Sequence, residues 1–428
     1  MSATVTINTA PLTGSVLEGV TIRYGRENVT DQVPSMTATL TLLAAGVPPA
    51  PIALRDLVQI GVDGVPVFYG KVTDRVVATE YADAGTVGTL QTITAVGPLA
   101  DLGRTIFQDF GVFVEETDGL RAKVIAFSGG LRDHPIGTLS TGYKIANAPW
   151  SFDSYLGSGL DAFDAGTVTL LGEPATAVST LELFHAVANS AGAPGVYETP
   201  AGRIGYCDAR RRTVAPTALT LDAATINADL AYGSRIGDLL NTTTVTYGSP
   251  AATVTATVAA SVSAYGEISS SITTTLATLT DAQKIAEQSI AGRATPRDNL
   301  ESLTVQLDHP DLSPLTRAAL LGLGFGSPLT VTGLPAALGL GTADWKGFVE
   351  GWTLVLREGR QMLTLNVSAR IFSLLLATVD ALSSTIDRLE GTIADLAVLW
   401  APVPLIDAVT NTINSLTAFT LDRAYDVA

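Results

Sequence analysis

Apolar and polar residues alternate with a period of two through much of this chain, a pattern that builds strands with one buried and one wet face. Ala38, Leu40 and Leu42 alternate with Thr37, Thr39 and Thr41. Leu303, Val305 and Leu307 alternate with Ser302, Thr304 and Gln306, and Leu363, Leu365 and Val367 with Thr364 and Asn366. The run Val254, Ala256, Val258, Ala260 and Val262 reads the same way. Turn signals at Asp63-Gly64, Ala201-Gly202 and Glu358-Gly359 separate such runs. The pattern predicts a mainly β protein: several small antiparallel β-barrel or sandwich domains, a few helices and a helical C-terminal segment.

The helices announce themselves by their ends. Ser179 with Glu182 forms a capping box opening a helix from Thr180 to Ser190, stopped at Gly192. Thr280 with Gln283 opens a second, running to about Ala294 before Pro296. A third is expected over Asp311 to Leu321, with Pro314 in its first turn. From Leu375 onward the apolar positions are Val379, Leu382, Ile386, Leu389, Ile393, Leu396 and Trp400, at spacings alternating four and three. That heptad fits a partner helix face in a coiled coil, and equally an amphipathic helix packed on its own chain. Pro402 and Pro404 end it, and a second amphipathic stretch follows through Ile406, Val409, Ile413 and Leu416.

Length and composition limit what these elements build. At 428 residues the chain exceeds one compact core, so three or four packed modules are expected. Apolar residues are 46% and charged residues 15%, which leaves more neutral surface than usual to be covered by copies of the chain or by partners. A net charge of −16 opposes nucleic-acid binding, and Arg210, Arg211 and Arg212 form the one basic run. An acidic wall suits a conduit through which DNA passes without sticking. The single cysteine, Cys207, excludes an internal disulfide and reads as a buried thiol in a strand. Met1 to Gly19 lacks the pattern of a secretory signal, and no stretch is long and apolar enough to span a membrane, so a soluble protein made in the cytoplasm is expected.

Two distant segments echo one another. Leu57 to Ile60 leads to Phe68-Tyr69-Gly70-Lys71-Val72 and then Leu90 to Ala95. Leu329 to Val331 leads to Trp345-Lys346-Gly347-Phe348-Val349 and then Leu363 to Val367. Each has an aromatic two before a glycine and a valine two after it: Phe68, Gly70 and Val72, then Trp345, Gly347 and Val349. Glycine at that place permits a bulge or a close backbone approach, so two related small barrels are expected, one near each end.

Catalytic chemistry has little to work with. The three histidines are His134, His185 and His309, and neither a His-Glu-x-x-His pattern nor a Gly-x-Ser-x-Gly elbow occurs. Asp308-His309-Pro310-Asp311 reads as a strand-to-helix turn with Asp311 as N-cap before it reads as a metal site. Glu115, Glu116 and Asp118 read as a solvated strand edge rather than a carboxylate pair for sugar hydrolysis. Gly322 to Gly326 lacks the lysine of a phosphate loop and reads as a turn. No catalytic residue, cofactor or metal is predicted.

Four segments in order resemble the tail hub, or minor tail, proteins of long-tailed phages of actinobacteria. They are Val20 to Leu43 with Leu57 to Asp74, Leu181 to Arg212, Ser263 to Glu267 with the helix before Pro296, and Leu303 to Ile371. The resemblance implies a first barrel over 1–105, a variable insertion over 106–178, a helix and hairpin over 179–237, a second barrel over 238–371, and the helical segment over 372–428. It further implies a homotrimer whose six barrels form a ring, adapting a sixfold tail tube to a threefold tip. The implied neighbours are the distal tail protein, the tape measure protein, and tail fibres or receptor-binding proteins. Two other functions stay open: a tail-associated cell-wall hydrolase, and a carbohydrate-binding fibre module.

Overall fold

The computed structural model describes residues 3–12, 16–27, 31–45, 52–81, 87–104, 113–127, 160–172, 178–192, 195–209, 219–224, 229–233, 238–296, 299–334, 344–357 and 359–369. The heptad from Leu375 to Trp400, the Arg210–Arg212 run and His134 lie outside the described residues. No helix in the described part is long and apolar enough to cross a membrane.

The chain is mainly β. In its first part come β1 (Ala3–Ile7), β2 (Ala10–Pro11), β3 (Val16–Gly25), β4 (Thr37–Ala45), β5 (Leu57–Val62), β6 (Val65–Tyr81) and β7 (Val87–Val96), followed by α1 (Leu99–Arg104). Next are β8 (Glu116–Thr117), α2 (Asp118–Phe127), β9 (Leu160–Phe163), β10 (Thr169–Leu170), α3 (Thr180–Ala191), β11 (Gly195–Glu198) and β12 (Ile204–Cys207). Then follow β13 (Leu219–Asp222), β14 (Asp229–Gly233), β15 (Thr242–Tyr247), β16 (Ala252–Thr257), α4 (Ala259–Tyr265), β17 (Ser269–Thr273) and α5 (Leu279–Ile290). The last are β18 (Asn299–Gln306), α6 (Pro314–Leu321), β19 (Pro328–Thr332), β20 (Trp345–Arg357) and β21 (Arg360–Ala369).

Thirteen strands form one sheet in the order β14-β18-β21-β20-β3-β4-β7-β6-β5-β1-β2, with β19 also on β20 and β13 on β19. Among the described residues no pairing closes either end of this sheet into a barrel. Two three-stranded sheets, β11-β12-β9 and β16-β15-β17, and the small β8-β10 pair complete the β structure.

The alternating runs pack as their period requires. Ala38, Leu40 and Leu42 of β4 are at most 1% exposed, while Thr39 between them faces water. Leu303 and Val305 of β18 and Leu363 and Leu365 of β21 are buried in the same way. Each such leucine contributes roughly 1.5–3 kcal/mol by leaving water. One contiguous apolar cluster joins both ends of the large sheet to α3, α5 and the inserted strands. Cys207 is buried within β12.

The first capping box forms as expected: Ser179 Oγ accepts from Glu182 N, Ser179 N donates to Glu182 Oε2, and Gly192 turns left-handed at φ 56°. The second helix starts two residues before the expected place. Thr278 caps it by accepting from Asp281 N at 3.1 Å while its hydroxyl donates to Asp281 Oδ2, which Thr280 and Gln283 cannot match. It ends at Ile290 rather than near Ala294. The third helix begins at Pro314 with Ser313 as its cap, so Asp311 lies in the turn before it. The alternation from Val254 breaks at Val258, where Ala259–Tyr265 turns helical and buries Ser261 against Asn241.

Candidate assembly interface

The large sheet consists of two runs laid end to end. In β14-β18-β21-β20-β19-β13 and in β3-β4-β7-β6-β5-β1 the strands come in the same spatial order, and every neighbouring pair but the last has the same orientation. The central strands match residue by residue. Lys71 pairs with Leu57 on one side and Val96 on the other, and Phe348 pairs with Pro328 and Ser368. One register shift falls between Val72 and Asp74, and its counterpart between Val349 and Gly351.

The approach to each central strand repeats as well. Arg55 N donates to Val72 O at 2.8 Å, as Gly326 N does to Val349 O, and both donors are left-handed, at φ 75° and 73°. A Cβ on Gly70 would overlap the Val96 carbonyl and the Phe68 ring; one on Gly347 would overlap the Ser368 carbonyl and the Trp345 ring. In each case the ring two residues earlier covers the bare glycine while the third strand's carbonyl crowds it, so no larger residue fits.

Where the runs meet, the second half of β20 pairs antiparallel with β3, from Gly351 opposite Gly25 to Arg357 opposite Gly19. Trp352, Leu354, Ile22 and Tyr24 are all at most 3% exposed there. The Tyr24 and Trp352 rings lie 5.0 Å apart, the Tyr24 hydroxyl accepts from Phe325 N at 2.8 Å, and Trp352 Nε1 donates to Leu323 O at 2.9 Å.

The residue left over by the β20 bulge, Glu350, lies fully inside this joint. Arg26 Nε donates to its Oε2 at 2.8 Å, and Ser368 Oγ donates to Oε1. Arg26 also donates to Asp31 O at 2.7 Å and lies over the Phe325 ring. Sequence reasoning missed this pair. Its signal is visible in retrospect: Glu350 is the one carboxylate in β20 and breaks the run Phe348–Trp352, flanked by Val349 and Gly351.

A second carboxylate ties the inserted hairpin to the first run. Glu198, at the end of β11, accepts from Met36 N, from Leu99 N at 2.7 Å and from Ser35 Oγ at 3.3 Å. Burial pushes its carboxyl up to about 7, against those hydrogen bonds, which pull it down. Asp101, nearby on α1, is likewise raised to about 7 by burial, with Lys71 pulling it back.

The remaining chemical candidates are spent on structure. Glu116 and Asp118 are buried, so the expectation of a solvated edge fails for them. Asp118 accepts from Thr167 N, Val168 N and the Tyr206 hydroxyl, fastening the start of α2 to β12. Glu116 accepts from Arg121 Nε at 2.5 Å, and Arg121 also donates to the carbonyls of Val114 and Leu171. Burial raises both carboxyls. His309 Nδ1 accepts from Asp311 N in the turn before α6, and half-buried His185 has its ring pKa lowered by burial. Gly322–Gly326 forms the turn from α6 to β19. Among the described residues, no three His, Cys, Asp or Glu side chains gather as metal ligands.

No protein-family model matches the chain, and no curated protein matches it in sequence. Solved structures do. The 43 kDa tail protein of prophage MuSo2 from Shewanella oneidensis has a TM-score of 0.55 at 14% identity, covering 87% of this chain and 100% of its own. A tail protein from Neisseria meningitidis reaches 0.58 at 14% identity, covering 87% and 98%. Prophage tail protein gp18 from Listeria monocytogenes reaches 0.50 at 9% identity, covering 91% and 100%. At such identities what is shared is the fold, and the fold of this chain is that of phage tail proteins.

Proposed function

We propose that this chain is a structural subunit of a phage tail tip, a hub protein that works by assembling rather than by catalysis. The observation that carries this reading is the repeated run of strands with its matched bulge, glycine and left-handed donor. A chain with two like halves gives six similar faces when three copies close around an axis. Six faces are what a sixfold tail tube requires of a threefold tip. The likeness in fold to three tail proteins over most of their lengths supports the same reading.

In this reading the domains are two hub halves, an insertion between their strands, and a C-terminal segment whose heptad supplies a further contact. The neighbours are the distal tail protein above, the tape measure protein inside, and fibres or receptor-binding proteins below. The net charge of −16 keeps DNA from adhering as it passes. The protein resides in the virion tail tip.

A cryo-EM map of the intact tail tests the proposal: three copies in a closed collar around the channel are expected. A single copy off the axis overturns it. Release of soluble fragments from host cell walls by the purified chain would replace it with a hydrolase.

A further inference from the structure

The joint between β20 and β3 joins the last long strand of one run to the first strand of the other. The corresponding ends of the runs are left over. β14 occupies the place of β3 and, among the described residues, bonds β18 alone, while β6 occupies the place of β20. From Asp74 to Tyr81, β6 bonds β7 on one side and, among the described residues, no strand on the other. We propose that this outer edge of β6 pairs antiparallel with β14 of a second copy, repeating between chains the joint that β20 and β3 make within one. The proposal rests on the reading of the chain as a self-assembling subunit and adds the surface and register through which it assembles.

Burial points to the same edge. Val76 and Val77 are 65% and 40% exposed, whereas Leu354, the counterpart of Val77, is 0% exposed against β3. The charged residues Asp74, Arg75 and Glu80 flank an uncharged, proline-free run, Val76-Val77-Ala78, at the middle of this edge. On β14, Leu230 and Tyr232 are half-buried and lie against the core.

The register follows from the equivalences. Val20 pairs with Leu40 as Leu230 pairs with Leu303, and Val355 pairs with Thr21. Carried over to the free ends, this sets Ala78 opposite Ala231 and Val77 opposite Tyr232. The contact joins unlike surfaces of the two copies, so it propagates head to tail, and in the collar proposed above the rotation between copies closes it into a ring.

Cysteine cross-linking reads this directly. In full-length chain carrying Cys207→Ser, Ala78→Cys and Ala231→Cys together should give covalent multimers on mild oxidation, because directly opposed Cα atoms lie within disulfide reach. Ala78→Cys with Asp229→Cys, two residues out of register, should cross-link poorly. Chains bearing only one of the first two cysteines, when mixed, should stop at dimers. Val77→Lys should weaken association by ~100-fold or more, because its ammonium would have to leave water unpaired. Val77 is exposed in the single chain, so the variant should keep the parent's circular dichroism.

An oligomer detected by mass that forms no Ala78–Ala231 cross-link overturns the edge pairing and leaves the subunit reading standing. Equal cross-linking in the displaced pair overturns the register. A chain that remains single at the highest attainable concentration and in isolated tails overturns both readings.

Discussion

Arg26→Met should be among the most damaging single substitutions in the joint, and its cost can be worked out from what each partner retains. Arg26 is 5% exposed and Glu350 is 0% exposed, so neither charge has water to fall back on. Removing the guanidinium strands a carboxylate that keeps the Ser368 hydroxyl as donor, and breaking such a buried pair costs ~3–5 kcal/mol. Glu350→Gln is milder. Arg26 then keeps Asp31 O and the Phe325 ring, and the amide oxygen still accepts, so ~1–2 kcal/mol is expected. In the double variant Arg26→Met with Glu350→Leu no charge is buried, and the loss reduces to the hydrogen bonds the pair made with Ser368 Oγ and Asp31 O, ~1–2 kcal/mol.

The assay is denaturant unfolding together with amide hydrogen exchange in β3 and β20, where a 3 kcal/mol local loss lowers protection by roughly 150-fold. A cost below about 1 kcal/mol for Arg26→Met would refute the reasoning. So would a double variant that loses the sum of two charge deletions, because the pair would then contribute as independent groups.

The remaining predictions address other parts of the chain. Because burial raises Glu198 from 4.5 to about 7, the folded chain holds a proton that the unfolded chain has released; stability should therefore fall as pH rises from about 4.5 to 7, by ~3 kcal/mol, and level off above. Midpoints of unfolding across that window check this; Asp101, raised to about 7 as well, adds a slope of the same sign, so Glu198→Gln should remove the Glu198 share and leave that of Asp101. Gly70→Ala and Gly347→Ala should each cost ~1–3 kcal/mol by calorimetry, since a backbone carbonyl opposes the new methyl in both; a difference above that range between them would separate the two positions. Asn241→Ala should cost ~2–4 kcal/mol and loosen β15–β17 in hydrogen exchange, because that side chain binds Ser261 Oγ, Gly266 O and Ile268 N. Copies carrying −16 each repel, so added salt should strengthen association measured by sedimentation; weakening would assign the contact to ion pairs instead.

Residues whose burial alternates were readable from sequence because the period of a strand is a local property. β4, β18 and β21 fall where Leu40, Leu303 and Leu365 and their neighbours place them. The Ser179 cap was readable for the same reason, its partner being three residues away. The failures arise where two local solutions compete. Thr278 and Thr280 both offer a cap, and the choice falls to the one whose hydroxyl also reaches Asp281. Small residues from Val258 to Val262 suit strand or helix equally, and Asn241, distant in sequence, decides the outcome by holding Ser261 and Gly266. Glu116 and Asp118 read as solvent-facing because carboxylates usually are. Their donors, Arg121, Tyr206 and the backbone of Thr167 and Val168, are brought to them by folding. The joint residues Arg26 and Glu350 are 324 positions apart, beyond any periodic signal.

The two ends of the repeated run differ in a way that follows from what each must do. Inside the chain, the β20–β3 joint forms once, during folding, and its partners are already tethered; Trp352, Leu354 and a buried ion pair make it permanent. Between chains, the matching strands must first overcome the ~4–15 kcal/mol of freedom lost on association. The outer edge of β6 offers Arg75, Val76 and Val77 where β20 has Trp352, Thr353 and Leu354, and Thr73 where β20 has Glu350. That is less apolar area, and a guanidinium, held on Ile52 O at 3.1 Å, in place of an indole. An edge of this kind is too weak to hold two free copies together at low concentration. It becomes sufficient when several contacts close at once, since the last copy in a ring pays the cost of association only once for two joints. Weak single joints and a stable closed ring are therefore compatible.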